Sequence, residues 1–178
     1  MHSGLSALTR RSGTRILANW FLAASKGNYL AATFYEEHLS FFLRYRFPLQ
    51  NTAKGRERVA RLGVILDRNA RLAQWWTLPV VARTVKAFPY FIFHYHFARV
   101  VSRNETCREI WSRTPTLLAK GPHSLIKSLL SPITDQQMDD LKAAKQPLYK
   151  LTWKYSREAF REGSVLDYLM RSVPEEIR

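Results

Sequence analysis

Apolar residues in this chain recur at steps of three and four, the spacing of one face of an α-helix. The pattern is clearest over residues 16–43, where Gly27 is expected to kink or divide the helix. A second helix is predicted over residues 56–76, closed or bent by Pro79. No internal repeat and no β-hairpin pattern interrupts this spacing. The sequence therefore predicts an all-α fold, an irregular multi-helix protein with an extended N-terminal segment.

Prolines and capping residues predict where the later helices begin and end. Residues 88–101 are rich in aromatic side chains and have the composition of a strand, but we interpret them as a helix because their surroundings are helical. A short helix is expected between Thr114 and Gly121, and another after the capping box that opens at Thr134. Two more are predicted, over residues 149–161 and from Ser164 onward.

The chain is long enough for one domain, and we expect a single structural unit made of three segments. Residues 1–50 hold a basic N-terminal segment and an aromatic-rich helix. Residues 51–130 hold an arginine-rich helix and an aromatic cluster, and residues 131–178 hold the C-terminal helices.

The N-terminal segment is basic and free of acidic residues before Glu36. Four cations precede that glutamate, among scattered serines, threonines and apolar residues. This composition is typical of a mitochondrial import signal, because a cationic amphipathic helix is drawn to anionic membrane surfaces. We therefore expect the protein in the mitochondrion, at the inner membrane, either on the matrix side or embedded in the bilayer.

Two stretches have enough apolar residues to be considered as membrane helices. Residues 16–35 have the right length, but their centre is the polar run Ser25 to Asn28. Residues 72–101 are interrupted by Arg83, Lys86 and Arg99. One membrane-associated helix is therefore expected, and whether either stretch spans the bilayer is left open.

The positive charge is concentrated in the first two thirds of the chain. The net charge is +14, and 13 of these excess charges lie within residues 1–120. Arginine outnumbers lysine 19 to 9, which favours fixed contacts with phosphate or carboxylate groups. The residues predicted to contact an anion are Arg56, Arg58, Arg61, Arg68 and Arg71. The anion could be the headgroup of a lipid such as cardiolipin, ribosomal RNA, or an acidic partner subunit.

Aromatic residues near these arginines suit an interface with a membrane, a protein or RNA. The predicted aromatic anchors are Trp20, Trp75, Trp76, Phe91 and Tyr95.

No combination of residues predicts catalysis or a cofactor. Cys107 is the single cysteine, and the run Glu36-Glu37-His38 lacks the further ligands of a helical metal site. His94 and His96 could share a metal on a strand but would point apart on a helix. Phosphate-binding loops and serine-hydrolase elbows are missing from the sequence. We therefore predict no catalytic, cofactor-binding or metal site and no small-molecule substrate.

These features lead to two hypotheses about function. The first is a non-catalytic accessory subunit of a mitochondrial inner-membrane assembly, of the respiratory chain or ATP synthase, which bridges other subunits and contacts lipid headgroups. The second is a mitochondrial ribosomal protein that binds rRNA through its arginine-rich helix.

Overall fold

The computed structural model describes residues 5–9, 16–17, 22–118, 121–152 and 154–172. These residues are mostly helical, with eight α-helices among them, which confirms the predicted helical class. They also contain three short strands that the sequence did not predict. The chain divides into two compact units, Met1–Leu117 and Leu118–Arg178. No helix of the described residues combines the length and the apolar character that a bilayer crossing requires.

A small sheet accompanies the helices of the first unit. Strand β1 (Leu5–Thr9) pairs antiparallel with β2 (Leu22–Ala24), and β3 (Thr116–Leu118) completes the strand order β2-β1-β3. The prediction of helix from residue 16 onward is therefore wrong for residues 22–24. Gly27 has a φ of +78°, which a continuing helix does not allow, so the helix begins only after it.

Helix α1 (Tyr29–Arg44) begins at an Asn28 cap, whose side chain accepts a hydrogen bond from the backbone N–H of Ala31 at 3.0 Å. Its buried residues are Leu30, Phe34 and Phe41. Their spacing is that of one helix face. The apolar spacing in the sequence predicted a different face, through Ala31, Tyr35, Leu39 and Phe42, and that prediction is wrong, since Tyr35 and Leu39 are exposed.

The predicted helix over residues 56–76 is broken into shorter pieces. Helix α2 (Ala53–Leu66) ends at Asp67, α3 (Ala70–Ala73) follows, and a 3₁₀ helix covers Gln74–Thr77. The break arises because the Asn69 side chain accepts hydrogen bonds from the N–H groups of Arg71 and Leu72, both at 3.0 Å, and so starts a new helix. Pro79 opens helix α4 (Pro79–Val85) rather than closing the preceding one.

Helix α5 (Ile92–Arg103) confirms the helical interpretation of the aromatic-rich segment from residue 92 onward, whereas residues 88–91 lie before the helix. It packs against α1, against the 3₁₀ helix and against α6 (Glu105–Ser112). Two hydrophobic clusters surround it. The first contains Phe41, Tyr45, Leu66, Ala73, Trp76, Ala82, Val85, Ala87, Ile92 and Tyr95. The second contains Leu17, Leu30, Phe34, Phe97, Val100, Val101 and Cys107.

The helix predicted to start at Thr114 is wrong. The Thr114 hydroxyl donates to the carbonyl oxygen of Ile110 at 2.8 Å, so this residue belongs to the end of α6. Strand β3 follows it instead of a helix.

The second unit contains helices α7 (Asp135–Lys142) and α8 (Val165–Arg171). Both predicted caps are confirmed: Thr134 and Gln137 form a capping box, and the Ser164 side chain caps α8. Its core is formed by Leu125, Leu129, Val165 and Leu166.

The helix predicted over residues 149–161 is wrong, since only a 3₁₀ turn at Arg157–Ala159 forms among its described residues. Backbone N–H groups in this segment form hydrogen bonds other than those of an α-helix. The N–H of Lys150 donates to the carbonyl oxygen of Pro122, and that of Lys154 donates to the Thr152 hydroxyl.

Candidate functional site

A pocket of about 390 Å³ lies between α1, α5 and the end of the 3₁₀ helix. Polar positions on α1 form one wall, because Glu36, Ser40 and Arg44 are four residues apart and share a helix face. The wall residues from α1 and the loop after it are Glu36, Glu37, Ser40, Phe41, Arg44 and Tyr45. The opposite wall is formed by Thr77, Pro79, His96 and Arg99. Two acidic and two basic side chains therefore line the same pocket.

Arg99 is held in the opposite wall by two hydrogen bonds to Thr77. Its Nη1 donates to the carbonyl oxygen at 2.9 Å and to the hydroxyl at 2.6 Å. Thr77 is buried, and its own hydroxyl donates to the carbonyl oxygen of Gln74 at 2.7 Å. Arg99 Nε is buried and has no hydrogen-bond partner among the described residues. The arginine thus fixes the wall with one nitrogen, while its Nε forms no hydrogen bond with the described residues.

His96 is a buried polar group of the pocket, only 3% exposed. Its ring lies edge-on to Phe41, with centroids 4.5 Å apart, and to His38, with centroids 5.0 Å apart. Neither ring nitrogen is hydrogen-bonded to another described residue. An unsatisfied buried polar atom costs about 1–3 kcal/mol, so this histidine suits a site where a ligand supplies the missing bonds.

His96 is neutral near pH 7. Burial, together with the nearby charges of His38 and Arg99, lowers its pKa to about 3. Burial also lowers the pKa of His38. A neutral imidazole has one donor and one acceptor nitrogen, so His96 can either donate a hydrogen bond to a hydroxyl group or accept one from it.

The acidic side chains of the pocket are exposed to solvent. Glu36 and Glu37 are exposed, and neither forms an ion pair with another residue in the described part of the chain. Arg44 is likewise exposed, at the end of α1.

The predicted anion-contacting arginines lie outside this pocket. Arg56, Arg58 and Arg61 belong to α2, Arg68 follows that helix, and Arg71 belongs to α3. Arg58 is half-buried and the other four are exposed. The structure brings Arg58 and Arg61 together in a second surface groove, beside Leu62 and Ile65.

The predicted aromatic anchors differ in their surroundings. Trp76 and Tyr95 are buried, and both donate to Oδ1 of Asp67, at 2.9 and 3.0 Å. Trp75 is 52% exposed and Phe91 is half-buried at the start of α5. Trp20 lies outside the described residues.

The sequence did not predict this pocket. Glu36, Glu37 and His38 were considered only as metal ligands, and His96 only together with His94. On α5 these two histidines contact different rings, since His94 lies near Phe91 and His96 near Phe41. The four-residue spacing of Glu36, Ser40 and Arg44 was the sequence feature that could have predicted a polar helix face at this pocket.

The fold and the pocket define a mostly helical protein with a charge-balanced polar pocket around a buried histidine. Residues 73–169 match the model of a family described as capsular polysaccharide synthesis protein. Because the match covers more than half of the 178 residues, the chain belongs to this family. No curated protein and no solved structure matches the chain.

Proposed function

We propose that this chain takes part in capsular polysaccharide synthesis and binds a saccharide in the pocket between α1 and α5. Membership of the family is the observation that carries the proposal. The matched residues include Thr77, Pro79, His96 and Arg99, which form one wall of the pocket.

The chemistry of the pocket suits a sugar ring. Saccharide hydroxyls donate and accept hydrogen bonds, and the pocket offers both carboxylate acceptors and guanidinium donors. Phe41 and Tyr45 line the same wall but are buried, so they form its apolar base and the polar side chains would make the main contacts with a sugar. The neutral His96 ring lies among these groups and has both nitrogens unpaired within the described structure.

The balance of charge favours a neutral saccharide over a polyanion. Glu36 and Glu37 offset Arg44 and Arg99, whereas the protein as a whole carries a net charge of +14. An anionic sugar would gain from the arginines but would be repelled by the two carboxylates.

The two mitochondrial hypotheses stay predictions, and they are based on other observations than the polysaccharide role. They depend on the composition of the N-terminal segment and on the arginine-rich helix. We give the polysaccharide role precedence because it is supported by family membership. Co-sedimentation of the chain with respiratory complexes or ribosomal subunits, tested with RNase and high salt, would favour the mitochondrial hypotheses instead. That the chain has no catalytic role also stays a prediction.

Saturation-transfer NMR with glucose, galactose and N-acetylglucosamine tests the pocket. At least one of these sugars should bind the full chain, and its affinity should fall about tenfold in Glu36→Gln/Glu37→Gln and in Arg44→Gln, the effect of removing roughly one strong hydrogen bond. These side chains are exposed, so the variants should fold normally.

Glu57→Gln is the matched control, because Glu57 is an exposed carboxylate of α2 that does not line the pocket. Equal losses in the control and pocket variants would contradict the site. If none of the sugars receives saturation from the protein, the proposal is wrong for neutral saccharides.

A further inference from the structure

A second groove, of about 490 Å³, lies on the surface between α2 and α4. Its lining residues are Arg58, Arg61, Leu62, Ile65, Thr84 and Val85. It shares no lining residue with the pocket between α1 and α5, so a role for the groove does not depend on saccharide binding in that pocket.

Large aliphatic side chains are exposed in this groove and on the helices that form it. Ile65 is 53% exposed and its neighbour Val64 is 66% exposed. Val80 is 64% exposed and lies one helical turn before Thr84, so it shares a face of α4 with that groove residue. We call these three exposed residues of α2 and α4 the apolar strip, because exposed apolar patches on charged proteins mark interaction surfaces.

Arginines border the strip and are held in place by backbone contacts. Nη1 of Arg58 donates to the carbonyl oxygen of Thr84 at 3.0 Å, at the end of α4. Nε of Arg68 donates to the carbonyl oxygen of Val64 at 3.0 Å, which places its guanidinium beside an exposed valine. Arg61 is highly exposed, and its ion pair with Glu57 is also exposed and therefore contributes little.

The nearby acidic groups offset these arginines only in part. Glu57 pairs with Arg61, and Oδ1 of Asp67 accepts hydrogen bonds from the uncharged side chains of Trp76 and Tyr95. Three arginines, Arg58, Arg61 and Arg68, thus stand against two carboxylates, so the border of the groove keeps a net positive charge, and an occupant must supply both anionic groups and apolar surface.

We propose that this face docks onto a phospholipid bilayer that contains anionic headgroups. Val64, Ile65 and Val80 would enter the boundary between headgroups and acyl chains, while Arg58, Arg61 and Arg68 contact lipid phosphates. A hydrated polyanion would satisfy the arginines but leave the aliphatic side chains in water. A second copy of this chain would bring two positively charged faces together.

Sedimentation with sucrose-loaded vesicles tests the proposal. The full chain should bind vesicles of phosphatidylcholine with one quarter phosphatidylglycerol about tenfold or more tightly than pure phosphatidylcholine vesicles, and added salt should weaken this binding. Arg61→Gln/Arg68→Gln and Val64→Ser/Ile65→Ser should each lower the affinity about tenfold. The matched control Arg113→Gln/Lys127→Gln removes the same charge at exposed residues outside the groove and should lower it much less.

Three results would overturn the proposal. Equal losses in the control and arginine variants would show a general electrostatic attraction. Unchanged vesicle binding by Val64→Ser/Ile65→Ser would show that the arginines bind an anion without insertion of the apolar strip. A lipid-free dimer that this same variant dissociates would identify a second copy as the occupant. Circular dichroism of each variant separates these outcomes from misfolding.

Discussion

The guanidinium of Arg99 donates from one nitrogen to both the carbonyl and the hydroxyl oxygen of Thr77, at 2.9 and 2.6 Å. The contact joins α5 to the end of the 3₁₀ helix, across 22 residues of sequence. Because both residues line the pocket, the shape of one wall depends on a single side-chain pair.

A replacement of Thr77 that removes the hydroxyl should therefore destabilise the fold more than one that keeps it. Thr77→Val preserves the shape of the side chain but removes the acceptor for Arg99 and the donor to Gln74. We expect the free energy of unfolding to fall by about 2 kcal/mol, the cost of leaving buried partners unsatisfied. Thr77→Ser keeps the hydroxyl and should cost less than about 1 kcal/mol. Urea denaturation compares the two, and equal losses would contradict the role of the hydroxyl.

The stability of the protein should decrease in mild acid because of His96. Its pKa is about 3 in the folded state against 6.5 ordinarily, so between these values the unfolded chain binds the proton and the folded chain does not. Lowering the pH from 7 to 5 should thus reduce the free energy of unfolding by about 2 kcal/mol from this group alone. His38 should act in the same direction, since burial lowers its pKa too.

The variant His96→Phe identifies the source of this pH dependence. It removes the titrating group but preserves an aromatic ring in a cluster of aromatic rings. Urea denaturation at pH 7 and pH 5 should show a smaller difference for His96→Phe than for the native chain. An unchanged difference would assign the acid sensitivity to other groups.

Asp67 should be important for stability although it lies at the end of a helix. Its Oδ1 accepts hydrogen bonds from the Trp76 indole and the Tyr95 hydroxyl, both on buried side chains. We expect Asp67→Ala to lower the free energy of unfolding by about 2–3 kcal/mol, because two buried donors lose a charged acceptor. Glu57→Ala removes an acidic residue from an exposed ion pair and should cost less than about 1 kcal/mol. Tryptophan fluorescence during urea unfolding measures both, and similar losses would contradict this role of Asp67.

The sequence predicted helices and caps better than the points at which a helix is interrupted. The helical spacing of α1 and the caps at Thr134 and Ser164 depend on neighbouring residues, so they could be predicted from the sequence alone. Helix α5 was inferred from its helical surroundings, because its own composition is that of a strand. The break after α2 arises from the Asn69 side chain, which competes with a helix pattern that otherwise continues.

The candidate site was harder to predict than the helices. Glu36, Ser40 and Arg44 share a helix face that is visible in the sequence, but Thr77 and Arg99 reach the pocket only through tertiary packing. A histidine in an aromatic run also resembles a core residue, and His96 is indeed buried. Its unpaired nitrogens become evident only when its neighbours are known.

The two hydrophobic clusters of the first unit share their helices. Helix α1 supplies Leu30 and Phe34 to one cluster and Phe41 to the other, and α5 likewise contributes to both. Neither helix can separate without exposing apolar surface in both clusters, so the two should unfold cooperatively. Amide hydrogens in the middle of α1 and α5 should therefore exchange only through unfolding of the whole unit, and the pocket between these helices lasts as long as the unit stays folded.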